Sequence, residues 1–313
     1  MEKLVTFPGF GWELTLNSIA ISITEGFKVH WYGVIIAVGF LLAVVYCCKQ
    51  SARFGIKTDD LYDMLLFAVP LAIIGARLYY VIFEWDNYYV PGNLGETLTK
   101  IVRIMDGGLA IYGGIIVAVL TALIVCKVKK ISFLAVADIG GMGLLIGQAV
   151  GRWGNFMNVE AFGGVTDVGW RMAGPEVARY LLRTGQITQE VAQQIIDGTL
   201  GVHPAFFYES AWNVIGFLLI AFVIKRYRKF DGQLFLSYIG WYGIGRFWIE
   251  GMRTDSLFIP GTSLRVSQLI ALGSAVVAAA IMLYVLLVKK PGPEKLYVNV
   301  LKGESLDDDT ENS

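Results

Sequence analysis

The chain is poor in charge, histidine and cysteine for its length. Of its 313 residues, 17% are charged and 55% are hydrophobic, and the net charge is zero. A soluble globular domain carries about 25% charged residues, so this composition favours a membrane protein. The zero net charge gives no general attraction to nucleic acid. The three cysteines, Cys47, Cys48 and Cys126, have neither the spacing of a metal site nor that of a disulfide framework, so we expect no bound metal.

The sequence also lacks the pattern of a cleaved signal peptide and any internal repeat. Its first residues, MEKLVTFPGFGWEL, show no basic segment followed by an apolar one, so we expect no cleaved leader. The absence of a repeat argues against the inverted-repeat design of many transporters.

What the sequence does contain is a series of long apolar stretches. A membrane-spanning helix needs about 20 largely apolar residues. Seven stretches qualify, at about 30–48, 61–83, 108–126, 133–150, 205–224, 234–250 and 267–288. The sequence therefore predicts an all-α membrane protein, a bundle of seven transmembrane helices that forms one polytopic domain over residues 1–290.

Basic residues are concentrated in alternate loops. They follow the first, third, fifth and seventh predicted spans, as in the KRYRK of residues 225–229. Because cytoplasmic loops carry an excess of Lys and Arg, we expect the N-terminus outside and the C-terminus in the cytoplasm. The insertion at about 155–204 is then a small extracytoplasmic arm of helical composition. The polar tail, 291–313, is predicted to be cytoplasmic and disordered.

Unusual polar residues gather at the outer ends of six of the seven predicted spans. Ionisable groups at membrane depth are costly, so each is a functional candidate. The candidates are His30, Tyr32, Arg77, Tyr112, Arg152, Asn155, Glu160, His203, Tyr242, Arg246, Glu250 and Arg253.

Several candidates also have a purely structural interpretation. Arg77 can extend its side chain to the membrane surface. Arg246 and Glu250 stand four residues apart and can simply pair on one helix face. His203, before a proline, can mark a helix start, and His30 can belong to an interfacial aromatic belt.

Arginine exceeds carboxylate in this set. Four arginines accompany the carboxylates Glu160 and Glu250, with Glu209 as a further carboxylate to weigh against them. Arginine binds phosphate oxygens through two parallel hydrogen bonds. An outward-facing, arginine-lined cavity within a lipid bundle indicates a phospholipid head group as ligand.

Five motifs then identify a family. In chain order they are HWYG at 30–33, DGGLAIYGG at 106–114, GRWGNFMNVEAFG at 151–163, HPAFFYE at 203–209 and YGIGRFWIEGMR at 242–253. Together they closely resemble the bacterial prolipoprotein diacylglyceryl transferases, over roughly residues 17–290.

The resemblance implies a transferase of the bacterial plasma membrane with its active site toward the extracytoplasmic face. Such an enzyme moves the diacylglyceryl group of phosphatidylglycerol onto the lipobox cysteine in the signal peptide of a preprolipoprotein. It forms a thioether, releases glycerol 1-phosphate, and needs no cofactor. Its partners are these two substrates and the surrounding membrane lipids.

The resemblance also implies roles for the candidates. Arg152 and Arg246 match the positions expected to hold the phosphate and phosphoglycerol, and Asn155 can donate to an oxygen and fix the orientation of the lipid. The predicted catalytic residues are Arg152, Arg246, Asn155, Tyr32, Tyr112 and His30. The predicted substrate-binding residues are Arg77, Glu160, Gly163, Tyr242, Glu250, Arg253 and His203.

One position departs from the family pattern. Many members carry a histidine in the third motif, where this chain has Tyr112. A free thiol has a pKa of about 8.5 and a free tyrosine about 10, so a tyrosine is a poor base for a thiol at neutral pH. Either position 112 is a hydrogen-bonding one, or His30, Glu250 or a bound phosphate oxygen takes the proton. Alternatively, a cationic pocket lowers the pKa of the substrate cysteine itself, and we favour this alternative.

Two other classes of protein are alternatives. A transporter or flippase for an anionic lipid or solute would need polar residues in the cytoplasmic half, where Asp138 is the clear case. A different intramembrane enzyme, such as a hydrolase, would show a paired-aspartate metal motif or a nucleophile with its base, and the sequence shows neither.

Overall fold

The helices of the protein follow the long apolar stretches of its sequence. The computed structural model describes residues 2–24, 27–104, 107–254, 259, 261–262 and 264–303. The α-helices are α1 (Trp31–Ser51), α2 (Thr58–Phe83), α3 (Trp85–Tyr88), α4 (Leu94–Val102), α5 (Ile111–Lys129), α6 (Phe133–Asn158), α7 (Pro175–Arg183), α8 (Gln189–Ile196), α9 (Ala205–Leu218), α10 (Gln233–Met252) and α11 (Val266–Tyr284).

Within the described residues, six helical segments are long and apolar enough to cross a membrane. They are Trp31–Phe54, Thr58–Phe83, Ile111–Lys129, Phe133–Asn158, Ala205–Tyr227 and Val266–Lys289. The prediction of a mostly helical, multi-pass membrane protein is confirmed. The sixth predicted span, 234–250, lies in the 20-residue helix α10, which carries Arg246 and Glu250 and falls outside this set. The count of seven spans and their orientation therefore stay predictions.

Three small antiparallel sheets correct the prediction of an all-α fold. They pair β1 (Glu2–Phe7) with β2 (Trp12–Asn17), β3 (Ile19–Thr24) with β4 (Phe27–His30), and β5 (Val165–Thr166) with β6 (Gly201–Val202). The sequence of β3, IAISIT, alternates isoleucine with small or polar residues, a period of two that fits a strand. A search for stretches of about 20 apolar residues misses so short a pattern.

The chain divides into two compact units. Unit one comprises residues 1–47 and 138–296, and unit two comprises residues 48–137 and 297–313. The predicted single domain over 1–290 stays a prediction. In the predicted disordered tail, residues 297–303 are helical, and residues 304–313 lie outside the described residues.

In unit one, the N-terminal strands and the insertion at 155–204 form one packed head. Thr6 of β1 and Ala173 exchange two backbone hydrogen bonds of 2.9 Å. Val5, Val177, Leu181 and Ile195 are each at most 1% exposed and belong to one apolar cluster. The helices predicted for the insertion are present as α7 and α8. The core of the head also includes Leu16, Phe156 and Phe206, from β2, α6 and α9.

In unit two, α2 and α5 cross closely because both carry glycine at the contact. A Cβ atom on Gly75 would lie 2.9 Å from the carbonyl oxygen of Gly113, so a side chain there would push the helices apart. Lys129 at the end of α5 pairs with Asp60 and Asp63 of α2, at 2.8 and 2.6 Å.

In unit one, Asp138 of α6 caps the N-terminus of α10. Its carboxylate is fully buried and accepts hydrogen bonds from the backbone N–H of Gly232 (3.0 Å) and Phe235 (2.9 Å). Its Oδ2 also lies 3.6 Å from Nη1 of Arg228. The first N–H groups of a helix lack acceptors within the helix, so a carboxylate there supplies the missing hydrogen bonds. Its negative charge also interacts favourably with the positive end of the helix dipole. Asp138 thus has a structural role that fixes α10 against α6.

We predict that Asp138→Ala strongly destabilises the protein. The substitution removes both hydrogen bonds to the N-terminus of α10 and takes this carboxylate away from the buried Arg228. We expect the free energy of unfolding to fall by about 3–5 kcal/mol. Thermal unfolding in detergent measures the change. Asp63→Ala is the control, because the Asp63 side chain is 48% exposed and such a pair contributes only about 0–1 kcal/mol. Equal shifts in the two midpoints would contradict the prediction.

Candidate active site

Three arginines of unit one meet at a single glutamate. Glu209, in the first turns of α9, has a side chain only 4% exposed. Its Oε2 lies 2.6 Å from Nη2 of Arg152 on α6, and its Oε1 lies 3.4 Å from Nη1 of both Arg246 and Arg253. We call these four residues, together with Glu250, the arginine cluster.

Glu250 is the second carboxylate of the arginine cluster. Its Oε2 lies 2.5 Å from Nη2 of Arg246, one turn earlier on α10. The helical pairing considered from the sequence is therefore present. It coexists with the contact between Arg246 and Glu209, so the guanidinium of Arg246 is held by one carboxylate on each terminal nitrogen.

The C-terminal end of α6 continues the network. Nη1 of Arg152 lies 3.5 Å from Oδ1 of Asn155, and Nδ2 of Asn155 donates to Oε1 of Glu160 at 3.0 Å. The residues on either side of Glu160, Val159 and Ala161, have φ values of 53° and 56°. Left-handed backbone is costly for these residue types, and such strain clusters at functional sites. The strained turn holds Glu160 beside Asn155.

Gly163 joins the segment after α6 to the end of α10. Its N–H donates to the carbonyl of His203 at 2.8 Å, and the next residue, Gly164, donates to the carbonyl of Met252 at 2.7 Å. A Cβ atom on Gly163 would lie 2.7 Å from that of His203, so only glycine fits. Gly163 also forms a β-bridge with Arg253, which fixes the backbone of that arginine.

His203 is partly buried beside this junction. Burial lowers the pKa of its imidazole, so the ring is neutral at pH 7. Its Nδ1 lies 3.2 Å from the hydroxyl of Tyr208, which accepts a hydrogen bond from Nε1 of Trp170 at 2.6 Å. His203 therefore adds no positive charge to the arginine cluster.

A cavity of about 570 Å³ lies next to the arginine cluster. Its lining includes Arg253, Arg265, His203, Gln186 and Thr254. A volume of this size lies in the range of small-molecule sites. The lining offers guanidinium and amide groups, which are donors suited to an anion.

The predicted aromatic residues of unit one, Tyr32 and Tyr242, lie on α1 and α10. The ring of Tyr32 lies against Gly154, which stands between Arg152 and Asn155 in the sequence. A Cβ atom on Gly154 would lie 2.9 Å from Cδ2 of Tyr32. Tyr242 stacks on Tyr238, with ring centroids 5.9 Å apart.

His30 ends β4 opposite Ile19, with an exposed side chain. The described contacts of its side chain do not include a member of the arginine cluster.

Two predicted site residues, Arg77 and Tyr112, belong to unit two. The buried Arg77 donates to the carbonyl oxygens of Lys100, Ile101, Arg103, Gly107 and Gly108, at 2.7 to 3.0 Å. It also donates to the hydroxyl of Tyr88 at 3.0 Å. These acceptors occupy the guanidinium, so Arg77 orders the chain before α5. Tyr112, in the first turn of α5, is 57% exposed.

Glu209 is the residue that the sequence analysis missed as a site member. The sequence placed it only among nearby carboxylates. Glu209 is the last residue of the motif HPAFFYE. Its place in an apolar helix was a signal of a site, because a glutamate is rarely buried unless it is paired. That it accepts from three arginines depends on the approach of three segments in space.

The arginine cluster can bind an anion. Three arginines and two glutamates leave it a net charge of +1. The arginine side chains are 12–19% exposed, whereas those of Glu209 and Glu250 are 3–4% exposed. The accessible face of the cluster is thus its cationic face, which suits a phosphate group.

Comparison with known proteins agrees with this chemistry. A sequence model of the family described as prolipoprotein diacylglyceryl transferase matches residues 18–284. Several curated relatives bear the name phosphatidylglycerol–prolipoprotein diacylglyceryl transferase. One from Lysinibacillus sphaericus (strain C3-41) is 41% identical over 285 residues, which are 90% of this chain and 97% of the relative.

Two further relatives of the same name are similar over most of their length. One from Listeria welshimeri is 44% identical over 86% of this chain and 90% of its own. One from Geobacillus kaustophilus is 42% identical over 81% of this chain and 87% of its own. With a family match over most of the chain and relatives at this level of identity, the chain belongs to the prolipoprotein diacylglyceryl transferase family.

Proposed function

We propose that the protein transfers the diacylglyceryl group of phosphatidylglycerol to the lipobox cysteine of preprolipoproteins. The observation that carries the proposal is the cationic face of the arginine cluster, in a multi-pass membrane protein of this family. A phosphodiester head group carries one negative charge, which matches the net charge of the cluster.

The transfer is a displacement at carbon. The thiolate of the cysteine attacks the glycerol carbon that bears the phosphate ester, so a C–S bond forms as the C–O bond breaks. The electron pair of the C–O bond goes to the phosphate oxygen, and glycerol 1-phosphate leaves. The leaving group gains negative charge in the transition state. Hydrogen-bond donors that already point at that charge usually make the largest contribution to the rate enhancement.

Arg152 and Arg246 are the proposed phosphate donors. They come from α6 and α10 and are fixed by the shared carboxylate of Glu209, so they need little rearrangement when substrate binds. Glu250 orients Arg246. Asn155 and Glu160 form a polar pair at the end of α6 that suits the glycerol hydroxyls.

The other predicted residues have supporting roles in this proposal. Tyr32 and Tyr242 shape the site beside Arg152 and Arg246. Gly163 and His203 fix the end of α10, and Arg253 completes the cationic face. His30, Arg77 and Tyr112 have no assigned chemical step.

A base is not required if the site itself acidifies the thiol. A cationic pocket stabilises the thiolate and so lowers the pKa of the substrate cysteine. The proton then passes to solvent or to a phosphate oxygen. This route is compatible with a tyrosine at position 112.

We propose seven spans, with the N-terminus outside. Gly164 is hydrogen-bonded to both His203, before α9, and Met252, at the end of α10. If α9 crosses the membrane, α10 must cross back for these ends to meet. Likewise Thr6 pairs with Ala173, and an even number of candidate spans, four, lies between them. Both contacts support the alternation that the loop charges indicate, with the head on the extracytoplasmic side and the tail in the cytoplasm.

The function is tested in vesicles of phosphatidylglycerol with a lipobox peptide. We expect the wild type to form the thioether and Arg246→Ala to lose activity by about 100-fold or more, because a donor to the developing charge is removed. Mass spectrometry of the peptide measures the product. Arg179→Ala is the control, since this exposed arginine of the head pairs only with Glu176 among the described contacts. A folded wild type without product would contradict the function.

Tyr112→Phe should retain activity within about tenfold of the wild type, since loss of a general base costs about 10²–10⁴-fold. The same assay measures the rate, with lipid binding as a separate readout. An inactive variant that binds lipid normally would show that the hydroxyl takes part in proton transfer.

The orientation is tested by labelling single cysteines in intact cells. In a chain whose Cys47, Cys48 and Cys126 are replaced by alanine, Arg179→Cys in the head should react with a membrane-impermeant maleimide. Lys57→Cys, in a predicted cytoplasmic loop, should react only after lysis. Both positions are exposed, so accessibility is matched. The reverse pattern would contradict the proposed orientation.

A further inference from the structure

We infer that Glu209 acts as an internal competitor for the arginines and so promotes release of glycerol phosphate after each transfer. The inference rests on the proposed function, and it assigns to Glu209 a positioning role with a second consequence. The carboxylate that holds the arginines in place also limits how tightly they hold a departing dianion.

Glu209 is buried more deeply than the three arginines that it contacts. Its side chain is 4% exposed, whereas those of Arg152, Arg246 and Arg253 are 19%, 18% and 12% exposed. An incoming phosphate can therefore reach the arginine side chains, whereas Glu209, which contacts the same guanidinium groups, is almost closed to it. Each arginine that binds phosphate does so in the presence of a carboxylate at 2.6–3.4 Å.

Charge distinguishes the substrate from the product. The cluster has a net charge of +1, and the phosphodiester of the substrate carries one negative charge. Once the C–O bond breaks, the phosphate is a monoester with a charge of about −1.5 to −2 at pH 7. Coulomb energy is proportional to the product of the charges, so a fixed carboxylate repels the dianion about twice as strongly as the monoanion. Glu209 therefore weakens product binding more than substrate binding.

A purely structural role for Glu209 gives a different expectation. If the carboxylate only positioned the arginines, its removal would loosen them and weaken binding of both phosphates. If it competes, removal of its charge strengthens binding, and the product gains more than the substrate. The sign of the change in affinity separates the two roles.

The experiment compares Glu209→Gln and Glu209→Ala with the wild type in the vesicle assay at pH 8. Initial rates give the KM for phosphatidylglycerol and the inhibition constant, Ki, for added glycerol 1-phosphate. For both variants we expect a Ki about tenfold lower and a KM about threefold lower than in the wild type. The change in KM is half the change in Ki on a logarithmic scale, because the substrate carries half the charge of the product. Two variants are made so that failure of one to fold leaves the other.

The pH dependence is a readout that a structural role would not change. The second pKa of a phosphate monoester is about 6, so at about pH 5 the product is mostly a monoanion. The decrease in Ki should then shrink from about tenfold to about threefold. Glu209→Asp retains the charge, and its Ki should stay within about threefold of the wild type.

Glu176→Gln is the matched control. It makes the same substitution at a glutamate that contacts an arginine at 2.6 Å, on α7 and away from the arginine cluster. Its Ki should equal that of the wild type. A Ki that is unchanged or higher in Glu209→Gln and Glu209→Ala would overturn the inference. Equal factors for Ki and KM would overturn it as well.

A direct binding measurement separates this inference from the proposed function. Thermal stabilisation of the purified protein by glycerol 1-phosphate, and by inorganic phosphate, reports affinity without catalysis. If the wild type forms no thioether, the proposed function fails. Tighter binding of both phosphates by the variants would still support competition by Glu209, and weaker binding would overturn it. A preference for glycerol 1-phosphate over inorganic phosphate identifies the ligand as the product.

Discussion

The site depends on one carboxylate that brings together three positive charges, one from α6 and two from the C-terminal part of α10 and the residue that follows it. Three guanidinium groups at this spacing repel one another, and burying them costs desolvation energy. Glu209 offsets both costs for Arg152, Arg246 and Arg253 at once. The approach of α6, α9 and α10 to one another is therefore an electrostatic requirement as much as an apolar one.

The opposite end of α10 is fixed by a second carboxylate. Asp138 of α6 caps that helix, so α6 and α10 are joined both at Asp138 and through the arginine cluster. A helix held at both ends cannot slide along its axis by a fraction of a turn. Such rigidity is what a site needs, because misplacement by about 1 Å is costly for catalysis. The two carboxylates therefore have complementary effects: Asp138 fixes the position of α10 along its axis, and Glu209 sets the charge of the site.

The sequence predicted those features that are local and strongly patterned. Apolar stretches predicted the six candidate spans, and the motifs predicted Arg152, Arg246 and Glu250 as neighbours in a site. The strands escaped prediction because segments of two to six residues are too short for a search for stretches of about 20 apolar residues. The substrate-binding role of Arg77 stays a prediction. Its contacts with backbone carbonyl oxygens could not be predicted, because these acceptors are the same at every position of a sequence. The sharing of Glu209 by three arginines could not be predicted, since it depends on where distant segments meet.

The pairing of Thr6 with Ala173 has a consequence for the order of events during synthesis. A ribosome adds about 5–20 residues per second, so the first strands wait roughly 10–30 s for their partner to emerge. An isolated two-stranded hairpin is marginally stable in water. The head therefore completes its folding late, after the helices α1 to α6 have been made, and until then the apolar side chains of β1 need shelter. Translocation machinery or the lipid surface can provide that shelter, which links maturation of the head to insertion of the helices.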